Sequence, residues 1–403
     1  MTRREGYYVT GFAGAAHSLS HLFVLLYATV VLVLEKRWGL SYSTLFALSI
    51  PGTVMFGACA LPAGWLADRW SSSAMIAISF FGLGGAAILT GLAQGPLSIG
   101  IALTLIGIFA AIYHPVGIPW LVKHATNRGR ALGINGVFGS AGTASAAVIA
   151  GGLAALYGWR AAFVIPGGVA ILVGFAFVYA VKTGRVVEHE SDVAPQPAPA
   201  AGDVRRAFLA MMVTVSCTGL IYQATAYSLP KLFADRLSGA LDHSIAGIGV
   251  LVSLCYVAAA LAQIVGGELA DRFSLKGVYL FSQLSQVPVL LVAYFLHSPI
   301  LVAAAALMVA LNVCGQPAEN ALLARYAPPA WRARAFGVKF SLTLGVSAGG
   351  VALVPVLYHF AGSLSPIFFF LIAFAGIAGV GALVLPGDSR RRKQAKAPLA
   401  AAG

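Results

Sequence analysis

Charge is scarce in this 403-residue chain. Only 10% of its residues are Asp, Glu, Lys or Arg, against roughly 25% in an ordinary soluble domain. Long polar stretches are also missing: apolar runs of about 20 residues recur from Tyr7 to Leu385 with short breaks, and 59% of the chain is hydrophobic. Such a chain cannot cover its apolar surface in water, so the solvent it expects is lipid. Cysteine is limited to Cys59, Cys217, Cys255 and Cys314, each inside an apolar run, which excludes a disulfide framework or thiolate metal spacing and leaves them as small core hydrophobes. A Gly-x-x-x-x-Gly-Lys-Ser/Thr loop is absent, which argues against ATP as a direct energy source. With no acid pair and no clustered His, Asp and Glu in sequence, neither an enzyme nor a cofactor is expected.

What charge there is has a pattern. The net charge is +13, but the cations lie between apolar runs and not on one basic face, so the expected partner is the bilayer and not nucleic acid. Reading the runs between Gly, Pro and charged breaks predicts helices near 7–34, 42–66, 74–93, 97–122, 131–156 and 160–181, then 207–233, 244–268, 277–296, 299–324, 334–360 and 364–385. Twenty of the 26 cations fall on the side shared by the two ends of a twelve-helix chain, and only Lys36, Arg37, Arg160, Lys231 and Arg236 fall opposite. The positive-inside bias therefore predicts an integral multi-pass protein of the plasma (inner) membrane with both termini cytoplasmic. The Arg3-Arg4 pair before the first run lacks a following small-residue cleavage site, so it is read as part of this bias and not as a signal peptide.

An internal repeat organises the chain. Gly64-Trp65-Leu66-Ala67-Asp68-Arg69-Trp70-Ser71 reads almost identically to Gly267-Glu268-Leu269-Ala270-Asp271-Arg272-Phe273-Ser274, 203 residues later. A second pair, Arg128-Gly129-Arg130-Ala131-Leu132-Gly133 and Arg332-Ala333-Arg334-Ala335-Phe336-Gly337, recurs at 204. Between the copies lies the Pro-Ala segment Ala194-Pro195-Gln196-Pro197-Ala198-Pro199-Ala200, the composition of an extended spacer. The expected fold is an all-α membrane protein of twelve transmembrane helices in two pseudo-symmetric bundles. Its parts are a six-helix bundle over 1–184, a cytoplasmic linker over 185–205, a second bundle over 206–388 and a basic tail over 389–403.

Two six-helix halves, a central linker and a Gly-x-x-x-Asp-Arg loop after helices two and eight together resemble the major facilitator superfamily over essentially the whole chain. The resemblance implies secondary transport of a small solute by a monomer, with the bundles rocking about a mid-membrane site. It also implies a cytoplasmic gate at Asp68, Arg69, Asp271 and Arg272, where Arg334 or Lys339 of helix eleven is a candidate partner for Asp68. Ser20-His21-Leu22 in helix one and Tyr113-His114-Pro115 in helix four look more narrowly like the fosmidomycin-resistance group of efflux proteins. Members of that group carry an acid soon after each of these histidines, where this chain has Leu22-Phe23-Val24-Leu25 and Val116-Gly117.

Candidate pathway residues are the polar groups stranded inside helices. Of thirteen acids, only Glu319 lies well inside an apolar run. There an ionised carboxylate must face a cavity, pair with a cation or take up a proton. Asn312, Gln316, Glu319 and Asn320 form one helical stripe. Glu319 also lies about 9 Å along the helix from Arg325, using 1.5 Å per residue, so it is either a proton carrier or part of the cytoplasmic charge network. His17 and His21 stack one turn apart, and His114 precedes a helix-bending proline; these imidazoles can carry a proton or bind an anion. No metal site is expected, because no acid or thiol lies near them in sequence. Gln223 and Tyr227 on helix seven can complete a polar and aromatic cavity. Glycines at 133, 136, 139 and 142, and at 337, 345, 349 and 350, suggest helix contact faces. The function expected is proton-coupled efflux of a small organic solute, with proton-coupled uptake of a small organic anion as the alternative.

Overall fold

The computed structural model describes residues 3–125, 128–187, 201–241, 244–326, 338–339 and 341–386. The described residues are built of helices, with no strand among them. In chain order they are α1 Gly6–Trp38, α2 Tyr42–Arg69, α3 Ser72–Leu92, α4 Pro96–Lys123, α5 Ala131–Tyr157, α6 Ala161–Lys182, α7 Val204–Arg236, α8 Ile245–Arg272, α9 Leu275–Phe295 and α10 Ile300–Tyr326. The last two are α11 Ser347–Ala361, which continues a π-helical turn at Leu342–Val346, and α12 Ile367–Val384. Every expected helix is present. Eleven are long and apolar enough to cross a membrane among the described residues, while the first part of the expected eleventh, 334–337, lies outside them.

The helix ends are set by local chemistry. Ser41, Ser71, Ser244 and Ser274 each accept a hydrogen bond from the backbone N–H three residues on, at 3.2, 3.1, 3.1 and 3.0 Å, satisfying donors that a helix start leaves orphaned. These serines start α2, α3, α8 and α9, and each pair of counterparts is 203 residues apart. The helix stops repeat as well. Gly158 and Gly362, 204 residues apart, follow α5 and α11 with φ of 85° and 65°, the left-handed conformation that glycine adopts without strain. The sequence repeat is thus a repeat of starts and stops.

Interior bends fall at prolines. α2 bends at Cys59 ahead of Pro62, and α10 bends at Gly315 ahead of Pro317. α4 passes through a π-helical turn, Tyr113–Gly117, around Pro115, where the missing N–H and the ring displace the regular ladder. His114-Pro115 and Gln316-Pro317 sit 202 residues apart, so both halves break at corresponding places and present a polar side chain there.

In the first bundle α1 packs on α5 and α3 on α6; in the second, α7 packs on α11 and α12, and α8 on α10. The halves meet chiefly along α5 and α8, with α2 against α11 and α1 against α7. Backbones touch there: a methyl at Gly249 would overlap the carbonyl of Ala147, and one at Gly151 the carbonyl of Ile245. The glycine stripe is only partly a contact face. Gly139 and Gly142 make room for His17 and Ser18 of α1, and Gly350 for Leu220 of α7, whereas Gly133 and Gly136 open onto empty space. Of the expected linker over 185–205, residues 188–200 lie outside the described residues and 201–205 are already helical, continuous with α7. The expected tail at 389–403 also lies outside them. The face of the bundle where α1 begins is called proximal below, and the face where it ends distal.

Candidate functional site

Two polar clusters lie inside the bundles, one in each half. In the first, α1 supplies His17 and His21 and the π-helical turn of α4 supplies His114. The ring centroids of His17 and His21 are 4.9 Å apart, those of His17 and His114 5.2 Å, and those of His21 and His114 5.4 Å. His17 and His114 are buried and His21 is half-buried. His17 Nδ1 lies 2.8 Å from the carbonyl oxygen of Asn135 in α5. A carbonyl only accepts, so Nδ1 carries the proton and Nε2 of the neutral ring holds a lone pair. His21 Nε2 then donates to that lone pair at 3.2 Å. Tyr113 stacks on His17 at 4.7 Å and 18°, and its hydroxyl bonds the Asn135 side chain. Sequence reasoning singled out the histidines but missed Asn135, whose only signal was a lone amide in a Gly-rich run.

The second cluster is built on α10. Glu319 is 3% exposed, so its charge needs a partner. Lys339, just ahead of the π-helical turn in α11, supplies it at 2.7 Å, and Tyr279 of α9 donates to the other carboxylate oxygen at 2.8 Å. The Lys339 ammonium also donates to Asn320. Lys339, expected as a partner for Asp68 at the gate, is therefore engaged with the buried carboxylate instead. The stripe continues upward: Asn312 donates to Gln286 of α9 at 3.2 Å, and Gln316 accepts from Gln263 of α8 at 3.0 Å, which in turn accepts from Ser140 of α5 at 3.0 Å. That last bond links the two halves. Gln263, Ser140, Gln283 and Gln286 extend the expected stripe; single polar residues in apolar helices carry no spacing signal.

Other expected residues are placed apart. Tyr227 donates to the carbonyl of Val24 across the halves at 2.7 Å, and Gln223 is buried one turn away on α7. Asp68, Arg69, Asp271 and Arg272 are exposed at the proximal face, with Arg69 over the Trp65 ring at 4.1 Å and Arg272 paired with Glu268 at 2.5 Å. Arg334 lies outside the described residues.

A third cluster was not expected at all. At the distal face Lys231 of α7, 7% exposed, sits 3.0 Å from Glu35 of α1 and 3.3 Å from Asp235. It lies within 5.0 and 4.9 Å of the ring centroids of Tyr42 in α2 and Tyr358 in α11. It joins four helices and both halves, attracted by two carboxylates and two ring faces.

Comparison with known proteins agrees with this architecture. The family profile described as Major Facilitator Superfamily matches residues 12–239 and 232–402. The puromycin resistance protein pur8 of Streptomyces alboniger is 31% identical over 145 residues, covering 34% of this chain and 29% of that protein. The chain thus spans under a third of that curated relative. Crystal structures of a bacterial homolog to the human lysosomal transporter Spinster superpose with TM-scores of 0.73 (inward-facing and unoccupied, 17% identity, 96% of this chain and 98% of that one) and 0.74 (inward-facing and occupied, 16%, 96% and 97%). With a family match over both halves and a shared fold from end to end, this multi-pass membrane protein belongs to the major facilitator superfamily.

Proposed function

We propose that the chain expels a small organic solute from the cytoplasm in exchange for protons, and that Glu319 is the group through which solute and proton compete. The observation that carries this reading is the buried trio of Glu319, Lys339 and Tyr279 beside the polar stripe of α10. With the carboxylate ionised, the pair with Lys339 is neutral. A proton taken up by Glu319 dissolves the ion pair and leaves the site one positive charge richer. A cationic solute binds better in the neutral state and is expelled when the proton arrives, which is antiport. The facing groups are Lys339 from α11, Tyr279 from α9 and Asn320 from α10 itself.

Efflux as the direction draws its support from the match to a puromycin resistance protein and from the narrower resemblance of the His21 and His114 segments. The cross-half contacts of Lys231, Tyr227 and Tyr42 gather toward the distal face, the arrangement of a carrier sealed outside and approached from inside. On the positive-inside bias the proximal face is cytoplasmic, and the exposed Asp68-Arg69 and Asp271-Arg272 pairs that end α2 and α8 lie on the side that closes in this reading. In this reading His17, His21 and His114 form the first-half wall of the path and Gln223 of α7 belongs to the second-half wall.

The test is proton movement in liposomes containing the purified protein, with internal pH followed while puromycin and other organic cations are added. The expected result is solute-triggered proton flux that Glu319→Gln reduces at least about tenfold, equivalent to ~1.4 kcal/mol, while the protein stays folded. Solute movement without proton flux, unchanged by that substitution, would falsify the coupling role. Solute accumulation in the direction of the proton gradient would make the protein an uptake carrier instead.

A further inference from the structure

The histidine cluster of the first half has a geometry that transport of an organic solute does not call for. Its ligand-capable nitrogens, from His17, His21 and His114, all lie within 4.8 Å of one another. We propose that these three histidines form a binding site for a divalent first-row transition metal, with Zn2+ as the representative ion.

The distances are close to those of a loaded site. Zn–N bonds of about 2.1 Å in a tetrahedron set the nitrogens about 3.4 Å apart, and His17 Nε2 and His21 Nε2 already stand at 3.2 Å; His21, which donates through Nε2 without the metal, ligates as the tautomer protonated at Nδ1. A rotamer adjustment of roughly 1 Å brings the third nitrogen in. The orientation is prepared by the surroundings. The Asn135 carbonyl accepts from His17 Nδ1 at 2.8 Å and so turns the Nε2 lone pair toward the centre, the outer-shell arrangement that metal-ligating histidines use. Tyr113 stacks on the same ring and is itself held by Asn135. At Gly139 a methyl would overlap the His17 ring, so the absence of a side chain there is what lets the ring occupy this place.

The donor set selects the ion. Three neutral imidazoles suit Zn2+, Cu2+, Ni2+ or Co2+, whereas Mg2+ and Ca2+ require oxygen ligands. Three protein ligands leave a fourth position open, on the side of the half-buried His21. No carboxylate joins the ligand set, so two positive charges in a membrane interior draw an anion, such as chloride or hydroxide, to that fourth position. All the elements involved, α1, α4 and α5, belong to one half, so the ion stiffens that half without locking it to the other.

The test uses the full-length chain in detergent, freed of any affinity tag and of metal by chelator, then exposed to Zn2+ and dialysed. Mass spectrometry should count a single zinc per chain, and Co2+ in its place should give the visible bands of tetrahedral nitrogen ligation. His21→Ala and His114→Ala should lose the metal; Gly139→Ala, which keeps all three ligands but displaces His17, should weaken binding about 10–100-fold. His297→Ala, at an exposed loop histidine, should bind as the wild type does. Glu319→Gln should also keep the metal, which separates this proposal from the transport reading. Zinc that dialyses away from the wild type overturns the proposal whatever the variants do, as does zinc retained as in the wild type by both His21→Ala and His114→Ala.

Discussion

Lys339 and Glu319 are tolerable in the interior only together. Each side chain is less than a tenth exposed, and they meet at 2.7 Å. Removing one partner of such a pair typically costs about 3–5 kcal/mol, whereas replacing both by apolar groups of similar size is near neutral. Lys339→Met should therefore lower the thermal unfolding temperature in detergent markedly, and Lys339→Met with Glu319→Met should recover most of the loss; a double variant no more stable than the single would mean that Glu319 leans on Tyr279 and not on the lysine. At this scale the sequence was half legible. A lone acid in an apolar run identifies itself, because ionised carboxylates are expensive there. Its partner does not, because whether Lys339 faces Glu319 or Asp68 depends on how α11 rotates against α10. Tyr279 and Tyr42 were invisible for another reason: a tyrosine in a membrane helix is equally at home in an interfacial belt.

Helices were the most readable level. Their starts carry serine caps, their stops carry glycine, and their bends carry proline, all of which act within a turn or two of chain and need no knowledge of the fold. The π-helical turn at Tyr113–Gly117 was less readable: Pro115 announces a bend, but the extra residue that swings His114 toward α1 is settled by packing against its neighbours. The glycine stripe of α5 shows the same limit, since four glycines alike in sequence fall into two kinds in space. A methyl at Gly142 would overlap the Ser18 carbonyl, and one at Gly136 meets nothing. Gly142→Ala should destabilise the protein by about 1–3 kcal/mol through the forced separation of α1 and α5. Gly136→Ala should be neutral or stabilise by up to ~1 kcal/mol through helix propensity. Thermal unfolding of the two variants side by side checks the contrast, and equal effects would remove the packing explanation.

For the molecule as a whole, the distal cluster around Lys231 is the feature that no reading of the chain foresaw. Glu35 and Lys231 are 196 residues apart and belong to different halves, so only the docking of the two bundles reveals them as partners. Lys231→Met would leave Glu35 and Asp235 without their shared cation and loosen the distal contacts. In a chain whose native cysteines are replaced, a cysteine introduced by Ser49→Cys, at a buried position of α2 near Tyr227, should then react with a membrane-impermeant maleimide about 5-fold faster or more, the factor that a bias of ~1 kcal/mol produces. An unchanged rate would make Lys231 an ornament of the rim and not a clasp. The paired serine caps and left-handed glycines, 203 and 204 residues apart, speak of ancestry. They are the punctuation of one six-helix text written out twice, and the punctuation has survived where the vocabulary has not. One half holds a nest of imidazoles and the other a carboxylate with its lysine, two different chemistries carried on one repeated frame.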